Sequence, residues 1–170
     1  MQTFLVLTAI IQSFSISLGV GSSTLAITNF FAAIADGSIS PDERRMMGIV
    51  YVVLRIAMVV ILISTLIIQA LTYGAIEFVN YNMAQLFVVL ILFANAMLMT
   101  AHLIPSNFGP AIQAGNWYTL GTLAALVPLG LSQFSLTTFF LAYVTWLVLA
   151  VSIVNGIMAI QVAKRKKLLK

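Results

Sequence analysis

The sequence contains no cysteine, which removes disulfides, thiolate metal sites and thiol nucleophiles from consideration. It is also poor in charge: 7% of its 170 residues are charged, against 62% that are hydrophobic. Its four carboxylates, Asp36, Asp42, Glu43 and Glu77, all fall at or near the ends of apolar runs, and His102 is the single histidine. With one imidazole and no acidic side chain placed to orient it, no hydrolytic constellation can be assembled, so the chain does not read as an enzyme. Basic residues are not spread along a face with aromatic partners, so no nucleic-acid partner is expected. Nor is there a polar or Pro/Gly/Ser-rich stretch long enough to be a linker, so residues 1–170 read as one domain. No motif calls for a cofactor.

What the sequence has instead is apolar runs longer than a soluble core requires. The fold class that follows is all-α, a polytopic transmembrane bundle of five membrane helices. The first run, about Phe4 to Ile34, has no basic residue ahead of it and is too long for a signal-peptide core, so it reads as a retained helix. At ~1.5 Å per residue it exceeds the ~30 Å hydrocarbon thickness, which predicts a tilt, a protrusion or a bend at Gly19 and Gly21. Ser40, Pro41 and Glu43 stand at the N-cap, N1 and N3 positions of the second helix, Pro41 to about Tyr73, and form a capping box. The same DGSISPDE segment imitates half of a calcium loop, but the preceding ligand positions would be Ala32 and Ile34, which offer no side-chain oxygen. Tyr73 to Asn82 reads as a short interfacial segment with aromatic anchors. A third helix from about Ala84 is stopped by Pro105, a fourth runs from Pro110 to about Leu131, and Ser135 caps a fifth that ends near Val162.

Topology follows from the basic residues, which favour the cytoplasmic side. Five of the eight Lys and Arg lie in the last seven residues, and Arg44 and Arg45 follow the first helix. Four helices separate the two clusters, so both lie inside if the N-terminus is outside and the C-terminus inside.

The segment Ser13 to Asn29 is too small and polar for a lipid-facing helix. Ser13, Ser17, Gly21, Thr24 and Thr28 share one face, and Gln12, Ser15, Gly19, Ser22 and Asn29 share roughly the opposite one. Small residues and hydroxyls mark helix interfaces in bilayers, so helix one is expected to be surrounded by the others. Arg55 lies near mid-membrane, where an unpaired charge costs several kcal/mol, and is expected to face inward toward helix one or Asn95. Gln113, Asn116, Thr119 and Thr122, with Asn95 and Asn155, can line a polar seam against helix one. The candidate polar site is therefore Arg55, Asn95, Ser17, Gly21, Thr24 and Asn116. His102 and Met99 share a helical face and are chemically competent haem or soft-metal ligands.

The run Leu18-Gly19-Val20-Gly21-Ser22-Ser23-Thr24, followed by Asp36-Gly37-Ser38-Ile39-Ser40 and Glu43, resembles the N-terminal half of a group of small, uncharacterised bacterial integral membrane proteins. Those proteins often carry an acidic residue where Leu25-Ala26-Ile27-Thr28 stand here. The resemblance implies a prokaryotic inner (plasma) membrane and no particular activity. Three functions are compatible with the sequence. One is a small solute or ion transporter with a polar site near Arg55, taking a small anionic ligand. The second is a non-catalytic accessory or assembly subunit of a membrane complex, and the third a haem or metal-binding redox protein. Lipids are the expected surroundings, and a homo-oligomer or a membrane-complex partner is expected because five helices are few to enclose a path.

Overall fold

The computed structural model describes residues 2–36, 40–72, 79–105 and 108–168. Five helices follow one another: α1 (Gln2–Asp36), α2 (Pro41–Leu71), α3 (Val79–Thr100), α4 (Gly109–Leu126) and α5 (Leu136–Leu168). The Asp-Gly turn and residues 73–78, including Glu77, lie outside the described residues.

The helix ends are set by local chemistry. Before α2, the Ser40 N–H donates to Glu43 Oε2 at 2.7 Å and the Glu43 N–H donates to Ser40 Oγ at 3.2 Å, the reciprocal pair of a capping box. At α5 the Thr138 N–H donates to Ser135 Oγ at 3.0 Å. α4 stops at Leu126, five residues short of the expected Leu131. Pro128 has no N–H to continue the ladder, and the chain closes with Leu131 N–H to Leu126 O and Gly130 N–H to Val127 O, Gly130 taking φ +69°. α3 closes in the same way, with Leu103 N–H to Leu98 O and His102 N–H to Met99 O, but its left-handed position is filled by His102 at φ +57°. α1 is one continuous helix through Gly19 and Gly21.

One core draws on every helix. Ile16, Ile61, Val88, Val89, Leu92, Trp117, Leu120 and Phe139 belong to it. α1 packs on α2, α4 and α5, while α4 packs on α1, α3 and α5. Gly109, Ala111, Ala114, Gly115, Asn116, Trp117, Thr119, Leu120 and Leu123 of α4 are buried, including four consecutive residues, so α4 is covered around most of its circumference and reaches the surface at Thr122 and Ala125. The surface, by contrast, is apolar: Phe14 is 67% and Leu141 68% exposed. Among the described residues four helices, α1, α2, α3 and α5, are long and apolar enough to cross a membrane. α4 is the exception because a helix shielded by its neighbours has no need of an apolar exterior, and its centre carries Gln113, Asn116, Trp117, Tyr118 and Thr119.

The most buried helix is therefore α4. Helix one was expected in that place. The α1 face bearing Gln12, Ser15, Ile16, Gly19, Ser22 and Ser23 turns inward, but Ser13, Ser17, Gly21, Thr24 and Thr28 are exposed. Four of those outward hydroxyls donate to carbonyls one turn earlier, as Ser17 does to Ser13 O at 3.0 Å. Their hydrogen bonds need no neighbouring helix, which is why this face can remain open.

Candidate functional site

The six residues of the expected polar site do not converge. Asn95 and Asn116 are buried, whereas Arg55, Ser17, Gly21 and Thr24 are exposed. Arg55 is misplaced for a geometric reason. The buried positions of α2, namely Leu54, Ala57, Met58, Ile61, Ser64 and Thr65, form a stripe at helical spacing, and position 55 falls outside it. Its flanks are the exposed Val52, Ile56 and Val59. The guanidinium thus projects from the outer surface of α2, roughly 15 Å along the axis from Arg45.

The buried polar groups act as ties between helices. Asn95 Nδ2 donates to Gln113 Oε1 at 2.8 Å and to the Gly109 carbonyl at 3.1 Å, joining α3 to the first turns of α4. Gln113 Nε2 in turn reaches Met58 Sδ of α2 at 3.4 Å. On another side of α4, the Tyr143 hydroxyl donates to Asn116 Oδ1 at 2.6 Å. Gln12 Nε2 donates to Thr65 Oγ1 at 3.1 Å and Ser15 Oγ to the Ala57 carbonyl at 2.6 Å, pinning α1 to α2. The seam expected along helix four is thus divided. Gln113 faces α2 and α3, Asn116 faces α5, and Thr119 and Thr122 donate to carbonyls of their own helix. Asn155 likewise donates to Val151 O within α5. Between α4 and α1 the polar contact is Tyr118 with Thr24, their hydroxyls 2.7 Å apart.

His102 and Met99 do not form a pair. His102 is exposed on the closing turn of α3, while Met99 is half-buried beside Gly109 and its sulfur lies 3.5 Å from Asn95 Nδ2. Among the described residues no three His, Asp or Glu side chains gather where a metal ion could be held.

A groove of about 660 Å³ opens between α4 and α5, lined by Tyr118, Leu123, Phe134, Phe139, Tyr143 and Trp146 among others. Sequence reasoning missed it, although Phe139, Tyr143 and Trp146 recur at steps of four and three residues, which places their rings on one face of α5. No family model matches this chain, and no curated protein or solved structure is similar to it.

Proposed function

We propose that the protein is a non-catalytic subunit of a membrane assembly, associating through the outer faces of α1 and α2. The observation that carries this reading is Arg55, a permanent cation on an outward helix face flanked by exposed Val52, Ile56 and Val59. A guanidinium in hydrocarbon costs several kcal/mol unless it is paired or reaches the interface, and it offers five donors suited to a carboxylate on a neighbouring helix. The open α1 face supports the same reading, since Ser13, Ser17 and Gly21 permit close backbone approach, and Ser13 and Ser17 line a shallow concavity with Ala9 and Phe14. A transport site would instead bring the polar residues around a shared interior space, and Arg55 does not lie with Asn95 and Asn116. The proposed setting is the inner (plasma) membrane of a prokaryotic cell, with all five helices spanning, the N-terminus outside and the C-terminus inside. That places Arg44, Arg45 and the Arg165, Lys166 and Lys167 turn of α5 on the cytoplasmic side.

The test is the size of the native particle extracted in a mild detergent. The parent protein is expected to run well above its 18.4 kDa monomer. Arg55→Leu should collapse it to the monomer with its thermal midpoint unchanged. A variant that keeps the parent's particle size would refute the proposal. Reporter fusions at both ends decide the orientation, and a cytoplasmic reporter active at the N-terminus would reverse it.

A further inference from the structure

The α4–α5 groove has rigid walls. Phe134, Phe139 and Tyr143 form a stack along one side, with centroids 6.0 Å and 5.7 Å apart and planes within 24° and 14° of parallel. Tyr143 is held from behind by its bond to Asn116, and Trp146 by donating its indole N–H to the Gly115 carbonyl at 3.0 Å. Tyr118, tied to Thr24, meets Trp146 edge to face at 6.3 Å. Every ring is thus fixed by a hydrogen bond or a stacking partner, and the groove cannot close by rotamer change. A pre-formed site of this kind avoids the ordering cost that a flexible surface incurs on binding.

Its polarity defines the occupant. The ring hydroxyls and the indole N–H are engaged with protein groups, and Thr119 and Thr122 donate to Gly115 O and Tyr118 O. Over the eight helical steps from Tyr118 to Leu126, roughly 12 Å of groove, the walls leave no free donor for a ligand. At the rim the Thr138 hydroxyl lines the groove, and Ser135 Oγ, outside the lining, lies 2.8 Å from Thr138 Oγ1. Only one of those hydroxyls can donate to the other, so one O–H remains for an acceptor. The exposed rim residues Thr122, Thr138 and Ala142 open the groove sideways on the outer surface of the bundle.

We propose that the groove binds one acyl chain of a membrane glycerolipid, laid along the Phe134-Phe139-Tyr143 stack, with the ester carbonyl at the Thr138 hydroxyl. The site is distinct from the α1 and α2 faces and stands whether or not those faces join a partner.

Trp146 reports on the groove directly. Trp117 is fully buried in the core, and a Trp146→Phe variant measures its background emission. The full chain in micelles of an alkyl maltoside, which carry no glycerolipid, receives increasing mole fractions of phosphatidylcholine brominated in its acyl chains. Quenching of Trp146 should saturate at a low mole fraction and be reversed by unbrominated phosphatidylcholine. Ala142→Phe, which fills the groove from α5, should raise the half-quenching fraction roughly tenfold, and Thr122→Phe, from α4, should do the same should the first variant fold poorly. Quenching that grows in proportion to the mole fraction, equally in parent and filled variants, would overturn the proposal. So would quenching of Trp146 by aqueous iodide, which would mean a water-filled groove. A filled variant that lowers the particle mass with quenching unchanged would also overturn it, since the occupant would then be a second copy.

Discussion

The six-membered ring of Trp117 lies against the backbone of Gly19, so closely that a Cβ at Gly19 would overlap ring carbons Cε3, Cζ3 and Cδ2. Gly21, two residues on, faces open space with no atom within 4 Å of where its Cβ would stand. The pair of glycines therefore marks one contact and one open position. Gly19→Ala should lower the thermal midpoint in detergent by an amount corresponding to about 1–3 kcal/mol, because an immobile core indole has nowhere to move. Gly21→Leu should leave the midpoint of the monomer within error. Equal effects at the two sites would contradict the packing of α1 on α4.

His102 occupies the left-handed position that closes α3, where a side chain is strained and glycine is not. The turn after α4, closed by the same hydrogen bonds, uses Gly130 for the same conformation. His102→Gly is expected to stabilise the protein by about 1 kcal/mol, measured as a rise in the unfolding midpoint. A loss of stability would mean that the imidazole makes a contact worth more than the strain.

Tyr143 and Asn116 make a buried bond in which the Asn116 Nδ2 amide already has no partner. Tyr143→Phe removes the donor and leaves Asn116 Oδ1 unpaired as well, at a cost of about 1–3 kcal/mol. Adding Asn116→Leu should recover part of that loss, because an apolar isostere has no unmet hydrogen bond. A double-mutant cycle tests this, and additive single effects would show that the two side chains are not coupled.

Ser40 closes the first turn of α2 through both halves of its capping box with Glu43. Ser40→Ala should cost about 1 kcal/mol of stability, and Ser40→Asp should restore most of it, since either short oxygen acceptor can meet the N3 N–H. No difference among the three would mean that this end of α2 contributes nothing to the unfolding transition.

By itself the sequence determined the number of helices, the class and several ends. Long apolar runs can be satisfied only as helices, and Ser40 and Ser135 act through hydrogen bonds within a few residues of themselves, whereas α3 ends at Thr100, well before Pro105, and α4 at Leu126 where Leu131 was expected. It also located the polar residues that tie the helices, because amides and hydroxyls in apolar runs need partners. Which partners they find was decided by the tertiary structure. Helical spacing showed two small-residue faces on α1 but not which one would be covered, since hydroxyls that can bond their own carbonyls are compatible with either environment. Position 55 was legible as a charge in an apolar helix, while its outward direction depended on which α2 stripe packed against α1 and α3. The least apolar helix became the most buried one for the same reason: burial by neighbouring helices is a property of the assembled bundle, and only there do Trp117 find Gly19 and the rings of α5 find a groove beside α4.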